Sequence, residues 1–339
     1  MKSSARKLRK TLYFIGTRVL LLIARGVLRF SRTRLVLSND THSKVDGAGA
    51  QIQRLLSLYS LSKEIKVGFL RQPFVDVSVH PLDPFQDDRS KADFVAQMNH
   101  LFELVEDCPV SESSRFSLQA LNVWTLLKFS LLCLRSKSPI VLSVVEAYPI
   151  TDHYPDIAYG VVDSLPNWKV YADSRAQALQ RPLIAIHYRQ GVGGLVLYPG
   201  QKIPRELPPS YFYSQLINAF DDYDKNLTVH LFTDAPLDDM VYEPDVQQRE
   251  HWESTPGFEK GLMQIQGNNL EAYFRDRKID IAVHRGGNPL DAIAIMSKSD
   301  YLITSRSSLS YVAGLLNTSG SVVAADQFWH PSPTPWISS

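Results

Sequence analysis

The 339-residue sequence has little of what several protein classes require. Its only two cysteines, Cys108 and Cys133, are too few for a disulfide framework and lack the spacing of a zinc site. We interpret them as thiols in a reducing compartment, with a single bridge as the alternative. The 17 glycines and 20 prolines are too few for a collagen-like or low-complexity chain. With 44% hydrophobic residues, the composition predicts one large or two medium globular domains.

The short motifs of two common enzyme classes are also missing. The sequence has no Gly-x-Ser-x-Gly nucleophile elbow and no His-Glu-x-x-His metal motif. Two pairs of adjacent acids, Asp221-Asp222 and Asp238-Asp239, do not end a strand pattern cleanly, and we interpret them as solvated surface. The sequence therefore predicts neither a serine hydrolase nor a metal centre.

Acidic residues are missing from the first 39 positions, which carry ten Lys or Arg. The rest of the chain is acidic, with 26 basic against 35 acidic side chains. Within the basic segment, Arg18 and Arg25 interrupt the apolar stretch Leu12–Phe30. A membrane-spanning helix needs about 20 mostly apolar residues, so we do not expect this segment to cross a bilayer. No small-residue cleavage site follows it, so a secretory signal is not expected either.

As a helix, this basic segment is amphipathic. At about 100° per residue its arginines and its large apolar residues fall on separate stripes. Arg18, Arg25, Arg29 and Arg32 form one stripe, and Leu12, Ile15, Val19, Leu22 and Ile23 gather on the other. Such a helix is typical of proteins that lie on an anionic membrane surface. We therefore predict a cytoplasmic protein, peripherally associated with the membrane through residues 1–37. A solvated basic extension and a helix packed on its own protein are the alternatives.

Two half-chains follow the basic segment. For the first, residues 38–180, we predict a mixed α/β domain with a polar link at Ser38–Lys44 and a long loop at Pro73–Asp88. Its predicted elements are a helix ending near Tyr59, a strand at Ile65–Leu70, helices at Ala92–Val105 and Leu118–Leu134, and a strand at Ile140–Val145. The predicted boundary lies within Ala176–Pro182.

The second half-chain, residues 181–330, alternates short apolar runs with helical patterns. The predicted strands are Leu183–Tyr188, Leu227–Phe232, Ile279–Val283, Tyr301–Thr304 and Val322–Ala325. The predicted helices between them are Tyr211–Phe220, Leu270–Arg275, Leu290–Met296 and Leu309–Leu316. Such alternation predicts a parallel sheet covered on both faces, with ligands at the carboxyl ends of the strands. The proline-rich tail, residues 331–339, is expected to cross back over the surface.

Three segments in this frame could carry chemistry. The first, Asp46–Gln51, places Gly47 and Gly49 at a helix start, where free N–H groups suit a phosphate or sugar oxygen. We identify no hydrophobic strand of any length before it, and it does not match Gly-x-Gly-x-x-Gly, so a dinucleotide site is not expected. A plain tight turn is the alternative.

The other two segments lie in the second half-chain. In Ile184–Gly191 an apolar strand ends in His187 and Arg189, and an arginine offers a planar fork to phosphate oxygens. In Met296–Ser310 a strand ends in a hydroxyl-rich turn that starts a helix, with Ser307 and Ser308 as good cap residues. The same hydroxyl and N–H groups, at the positive end of a helix, can also cradle a diphosphate. A solvated arginine and a plain helix cap are the respective alternatives.

The order and spacing of these segments resemble the fucosyltransferase superfamily of glycosyltransferase-B fold, which includes the α-1,2-, α-1,6- and protein O-fucosyltransferases. The similar landmarks, in chain order, are Asp46–Gln51, Ile184–Arg189, Pro208–Phe212, Val229–Asp234 and Ser297–Ser310. The resemblance implies an α/β fold of two Rossmann-like domains with a cleft between them. It also implies inversion at the anomeric carbon, no metal and no cofactor.

The resemblance further implies a GDP-sugar donor, with GDP-fucose expected, bound mainly by the C-terminal domain. Arg189 and the Ser307–Ser308 turn would hold the diphosphate, and His187 and Asp291 would lie by the guanine. Gly47, Gly49 and Asp234 complete the predicted donor site.

We therefore predict a fucosyltransferase-like enzyme that modifies a glycan acceptor in surface polysaccharide or lipopolysaccharide synthesis, with no nucleic acid partner. Asp46 ranks first as general base, before Glu206 and Asp234, because its loop would face the cleft. Gln190 and Val192 stand where the family usually has Arg and Asp. A catalytically inactive nucleotide- or carbohydrate-binding relative is therefore the alternative.

Overall fold

The computed structural model describes residues 2–31, 34–78, 87–104, 113–189, 207–220, 227–234, 240–242, 263–265, 269–325, 328 and 330–338. The chain divides into two compact units. Unit 1 holds the described parts of residues 1–79 and 87–169 together with 330–334, and unit 2 holds those of 170–329 and 335–339. The division lies between residues 169 and 170, before the predicted boundary at Ala176–Pro182.

Unit 1 is built on a four-stranded parallel sheet in the order β2-β1-β4-β3. Its elements are α1 (Lys2–Arg29), β1 (Leu35–Asn39), α2 (Ala48–Ile65), β2 (Gly68–Leu70), α3 (Asp88–Leu101), β3 (Ser114–Ala120), α4 (Val123–Cys133), β4 (Ile140–Glu146), α5 (Tyr148–Thr151), two 3₁₀ helices (Pro155–Ala158 and Val161–Ser164) and the first turn of α6 (Pro166–Ala176). All of β1 is buried, and α2, which packs against it, is buried at every residue from 51 to 62.

The structure corrects two predictions for the start of unit 1. Residues 35–37, which we expected to end the basic segment, begin the buried strand β1. The Asp46 loop therefore does follow a hydrophobic strand. The helix α2 continues to Ile65, where Lys66 ends it in the left-handed conformation with φ of 59°. The following strand is for this reason shorter than predicted.

A third correction concerns the predicted helix Leu118–Leu134. Its first residues, 118–120, belong to the strand β3, which pairs with β4. The helix itself, α4, begins after Asn122, whose side chain accepts a hydrogen bond from the backbone N–H of Thr125. This cap satisfies a backbone donor at the helix start and fixes where the helix begins. Cys133 is buried in α4, and Cys108 lies outside the described residues.

Unit 2 confirms the predicted alternation of strands and helices. Its elements are the rest of α6, β5 (Ile184–Tyr188), α7 (Pro209–Ala219), β6 (Thr228–Thr233), β7 (Met240–Tyr242), β8 (Met263–Ile265), α8 (Asn269–Arg275), β9 (Asp280–Arg285), α9 (Pro289–Ser297), β10 (Tyr301–Ile303), α10 (Ser308–Leu316), β11 (Ser321–Ala324) and β12 (Ile337–Ser338). β7 and β8 form a separate antiparallel pair.

The other six strands of unit 2 form one parallel sheet in the order β12-β11-β10-β5-β6-β9. From β5 the chain builds outward through β6 and β9, then returns to build β10, β11 and β12 on the other side. The strand order thus reverses between β5 and β10. In open α/β sheets, ligands bind at the carboxyl ends of the strands at such a reversal.

The two faces of this sheet pack against different helices. Ile186, Tyr188 and Leu231 belong to a buried cluster that includes Phe212 of α7 and Phe274 of α8. Because side chains alternate along a strand, His187 points to the opposite face, on which α9 contacts β5. The two α/β units, each on a parallel sheet, confirm the predicted fold class at the level of secondary structure and topology.

The end of the chain adds to both units. His330 Nδ1 lies 2.8 Å from Asp152 Oδ1 in unit 1, and the Thr334 hydroxyl donates to Asp156 at 2.7 Å. The last strand, β12, pairs in parallel with β11 in unit 2. The tail is therefore built into the protein by specific hydrogen bonds. Among the described residues, we find no helix long and apolar enough to cross a membrane.

Candidate functional site

Polar side chains follow the central strands of unit 2 where the strand order reverses. Arg189 follows β5, Asp234 follows β6, and a hydroxyl-rich turn from Thr304 to Ser308 connects β10 to α10. β5 lies between β6 and β10 in the sheet, so these three strand ends are neighbours. The structure thus brings the predicted residues of the second and third motifs to one edge.

Arg189 and Asp234 form an ion pair across two adjacent strand ends. Arg189 Nη1 lies 2.7 Å from Asp234 Oδ2, and the side chains are only 11% and 19% exposed. Such a charge-assisted contact holds the guanidinium in one orientation. The planar fork of an arginine matches the geometry of phosphate oxygens.

His187 ties β5 to the turn after β10. Its Nδ1 atom lies 2.6 Å from the Ser305 hydroxyl, and the imidazole is buried. Burial lowers the pKa of His187 to about 4, although nearby Asp234 opposes this shift. The ring is therefore neutral at pH 7 and acts as a hydrogen-bonding link rather than a cation.

Hydrogen bonds between hydroxyl and backbone groups tie the turn after β10 to the neighbouring strand β11 and to α10. The Thr304 hydroxyl donates to the carbonyl of Val323 at 2.9 Å and accepts from the N–H of Ala325 at 2.8 Å. The Ser310 hydroxyl accepts from the N–H of Ser305 at 3.2 Å. These bonds fix the path of the chain into α10 before any ligand binds.

Ser307 and Ser308 have different roles at the start of α10. Ser307 is the cap: its side chain accepts from the N–H of Leu309 at 3.3 Å. Ser308 is the first helical residue and is only half-buried. It therefore lies at the positive end of the helix dipole, where backbone N–H groups attract anions. The cap interpretation of the sequence holds for Ser307, and Ser308 is the residue of the pair better placed for a ligand.

Asp291 lies in the first turn of α9 and is held by two side chains of α6. Its carboxylate accepts a hydrogen bond from the Tyr171 hydroxyl and lies 2.8 Å from Arg175 Nε. Burial, followed by the hydrogen bond to Asp291, raises the pKa of Tyr171 to about 12. Sequence reasoning missed both partners, although their spacing of four residues places them on one helix face.

Asp46, Gly47 and Gly49 lie in unit 1, between β1 and α2. Asp46 Oδ2 lies 2.6 Å from Arg54 Nη1 and 3.6 Å from Lys44 Nζ. Gly47 caps α2, and Gly49 is buried in its first turn. The loop is thus a helix start at the carboxyl end of β1.

The remaining sequence predictions divide as follows. Gln190, Val192, Glu206 and the acidic pairs lie outside the described residues. Two further residues of the turn, Ser305 and Arg306, are buried. The sequence analysis did not single them out, although both lie in the hydroxyl-rich segment. Within the described parts of the chain, no three His, Cys, Asp or Glu side chains group as a metal ion would require.

Comparisons with known proteins give distant structural likenesses. No protein-family model matches the chain, and no curated protein sequence matches it. POFUT1 in complex with GDP aligns with a TM-score of 0.46 at 10% identity, over 89% of this chain and 98% of its own. E. coli ADP-heptose lipopolysaccharide heptosyltransferase II aligns with a TM-score of 0.33 at 12% identity, over 91% and 90%. A glycosyl transferase of family 9 from Veillonella parvula aligns with a TM-score of 0.35 at 12% identity, over 90% and 85%.

Proposed function

We propose that this protein is a glycosyltransferase of the fucosyltransferase-like type. It transfers fucose or a related sugar, with inversion and without a metal, from a GDP-sugar to a glycan acceptor. We further propose surface polysaccharide or lipopolysaccharide synthesis as the process that it serves. The motif order from Asp46 to Ser310 supports this assignment, and the geometry of unit 2 supports the donor class.

One observation carries the proposal. At the reversal of strand order in unit 2, the Arg189–Asp234 pair and the start of α10 lie at one edge of the sheet, linked by His187 and Ser305. A fixed guanidinium and a helix N-terminus are two independent anion-binding elements. A diphosphate with two charged groups matches such a pair of elements.

These elements also suit the chemistry of the proposed reaction. Breaking a bond between a sugar and a diphosphate leaves negative charge on the phosphate oxygens. A guanidinium and backbone N–H groups that are already in place stabilise that charge without reorganisation. Arg189 and α10 would therefore bind the transition state more tightly than the intact donor, which is the condition for catalysis.

The proposed general base is Asp46, which would take the proton from the acceptor hydroxyl. Its carboxylate is oriented by Arg54 at 2.6 Å, and the Gln51 side chain donates to the Asp46 carbonyl at 2.7 Å. Asp46→Asn keeps the shape of the side chain and removes its basicity. We expect this variant to bind the donor normally and to transfer the sugar slowly.

A thermal-shift panel of GDP-fucose, GDP-mannose, UDP-sugars and CMP-sugars tests the donor class. A ligand at about 100 times its dissociation constant stabilises a protein by about 2.7 kcal/mol, so a true donor stands out. We expect GDP-sugars alone to raise the melting temperature, and Arg189→Ala to reduce that shift without abolishing it. The control is Arg181→Ala, which removes a more exposed ion pair, 2.9 Å from Asp300, at the amino end of β5. A shift by UDP- or CMP-sugars alone would contradict the GDP assignment.

A further inference from the structure

The helix α1 exposes a row of large apolar residues to solvent. Ile15, Val19, Leu22 and Ile23 are all at least 46% exposed, and Phe30, directly after the helix, is 80% exposed. At about 100° per residue the first four lie on one side of the helix. A row of exposed large apolar side chains usually marks a surface that contacts another protein or a membrane.

The residues that α1 buries lie on its opposite side. Thr17, Leu21 and Ala24 are buried, and α1 packs along α4. Two of these three residues are small. The face of α1 that packs on the rest of unit 1 is therefore its less apolar face. The apolar stripe is therefore not the surface by which α1 packs on its own protein, although the helix does pack there.

Two of the four arginines on the predicted basic stripe contact other parts of unit 1. The Arg18 guanidinium lies 4.4 Å from the centre of the Tyr154 ring, and Arg25 Nη1 lies 4.0 Å from Glu64 Oε1. Arg32 lies outside the described residues. These contacts fix the rotation of α1 about its own axis, and with it the outward direction of the apolar stripe.

The neighbouring helix α4 also exposes apolar side chains. Trp124 is 65% exposed and Leu131, one heptad later, is 48% exposed. Lys128 is exposed four residues after Trp124, and Arg135 is exposed four residues after Leu131, just beyond the end of the helix. A helix face of Trp, Leu and Lys followed by an arginine is typical of a helix that lies in a membrane interface.

We propose that α1 and α4 form a docking surface for an anionic lipid bilayer, into which their exposed apolar side chains insert without crossing it. Charge complementarity favours this partner. Residues 1–39 carry ten basic residues and no acid, and residues 121–138 carry Lys128, Arg135 and Lys137 with no acid. The rest of the chain is acidic, so the positive charge is concentrated where the apolar residues are exposed.

Co-sedimentation with phosphatidylserine-containing vesicles, compared with neutral phosphatidylcholine vesicles, tests this surface on the full chain. We expect Leu22→Ser and Trp124→Ser each to weaken binding about ten-fold, because each removes apolar area from the lipid contact. Lys128→Gln should weaken it about five-fold and high salt should weaken all binding. The matched control is Val170→Ser on α6, which is 73% exposed and should bind as the wild type does.

Tryptophan emission gives a second readout. We expect the emission of the wild type to shift to the blue when anionic vesicles are added, as Trp124 enters the interface. Trp124→Phe should lose most of that shift and retain much of the binding. If the serine variants fail to fold, as judged by circular dichroism, Lys128→Gln and Trp124→Phe still decide the matter, since both side chains are exposed.

Two results would overturn the proposal. The first is unchanged vesicle binding in a Leu22→Ser and Trp124→Ser double variant. The second is a concentration-dependent dimer of the wild type that the double variant abolishes, with no vesicle binding by either. That result would assign the apolar surface to contact between two copies of this chain.

Discussion

The Nδ1 atom of His187 lies 2.6 Å from the hydroxyl of Ser305, so a neutral imidazole joins the end of β5 to the turn that starts α10. This bond spans the reversal of strand order in unit 2. It places Arg189, two residues after His187, in a fixed relation to the helix N-terminus. This hydrogen bond and the pairing of β5 with β10 together align the two proposed diphosphate-binding elements.

The buried imidazole predicts how stability depends on pH. The pKa of His187 is lowered to about 4 in the folded protein, against about 6.5 for an unfolded histidine. Between these values the unfolded state binds more protons, so the free energy of unfolding falls as the pH falls from 6.5 to 4. We expect this histidine to contribute on the order of 3 kcal/mol to that fall. Urea unfolding across this range should show that the free energy of unfolding depends less steeply on pH in His187→Asn than in wild type. Equal slopes would contradict the lowered pKa of His187.

The ion pair of Arg189 predicts a positioning role for Asp234. Asp234→Asn keeps the size of the side chain and weakens its hold on a guanidinium that is 2.7 Å away and mostly buried. We expect a loss of about 2 kcal/mol of stability, because an arginine left without its carboxylate is costly in such a site. Turnover should also fall while the KM for the donor changes little. Calorimetry and steady-state kinetics measure the two effects. A variant with wild-type stability and turnover would show that Asp234 does not position the Arg189 guanidinium.

The two serines at the start of α10 should separate structure from binding. Ser307→Ala removes the cap and should cost about 1 kcal/mol of stability with little effect on donor affinity. Ser308→Phe should block donor binding in a folded protein, because the half-buried side chain lies at the helix N-terminus. Thermal melts with and without GDP-fucose distinguish these effects. If Ser308→Phe binds the donor as wild type does, the turn is only a helix start.

Much of unit 2 can be predicted from its sequence, and much of the start of unit 1 cannot. In unit 2 the five predicted strands are compact apolar runs set off by turn residues, and one face of the sheet packs on a buried apolar cluster. The short strands β7, β8 and β12 were not predicted. In unit 1, β1 comes directly after a run of arginines and continues into polar residues, so its five residues carry a weak signal. β3 alternates apolar and polar residues over 115–120, but it is exposed at nearly every position and runs almost directly into the apolar helix α4, so the sequence pattern assigns its last residues to that helix.

The positions of the candidate site residues could be predicted from the sequence, but the contacts between their side chains could not. The strand-ending positions of His187, Arg189 and Asp234 follow from the alternation of strands and helices, because parallel strands end at one edge. The bonds that hold Asp291 could not be predicted, since Tyr171 and Arg175 lie 120 and 116 residues earlier and only tertiary packing brings them near. The choice of Ser305 as the partner of His187 depends likewise on the order of β5 and β10 in the sheet.

Two glycines predict opposite effects of the same substitution. A Cβ atom on Gly320 would lie 2.1 Å from the backbone carbonyl of Ser299, so Gly320→Ala should destabilise the protein by about 1–3 kcal/mol. A Cβ atom on Gly26, inside α1, would have no atom within 4 Å, so Gly26→Ala should stabilise the helix by about 1 kcal/mol. Thermal unfolding of Gly320→Ala tests the packing at the start of β11, and thermal unfolding of Gly26→Ala tests the open space beside α1. A stable Gly320→Ala protein would show that the Ser299 backbone can move.

The central claim is that the Arg189 guanidinium stabilises the departing diphosphate. If its contribution grows from the bound donor to the transition state, Arg189→Ala should lower kcat more than it raises the donor Kd. Arg189→Lys, which keeps the charge and loses the planar fork, should recover part of the activity. Arg181→Ala, which removes an ion pair at the other end of β5, should behave as wild type.

The most direct measurement is therefore sugar transfer from GDP-fucose by wild type, Arg189→Ala, Arg189→Lys and Arg181→Ala, each with and without a chelator. The account predicts a strong loss of turnover in Arg189→Ala, a partial loss in Arg189→Lys, and no effect of the chelator on wild type. Full turnover in Arg189→Ala would contradict it. So would wild-type activity that the chelator abolishes and a divalent metal restores, because the leaving charge would then be stabilised by a metal and not by this arginine.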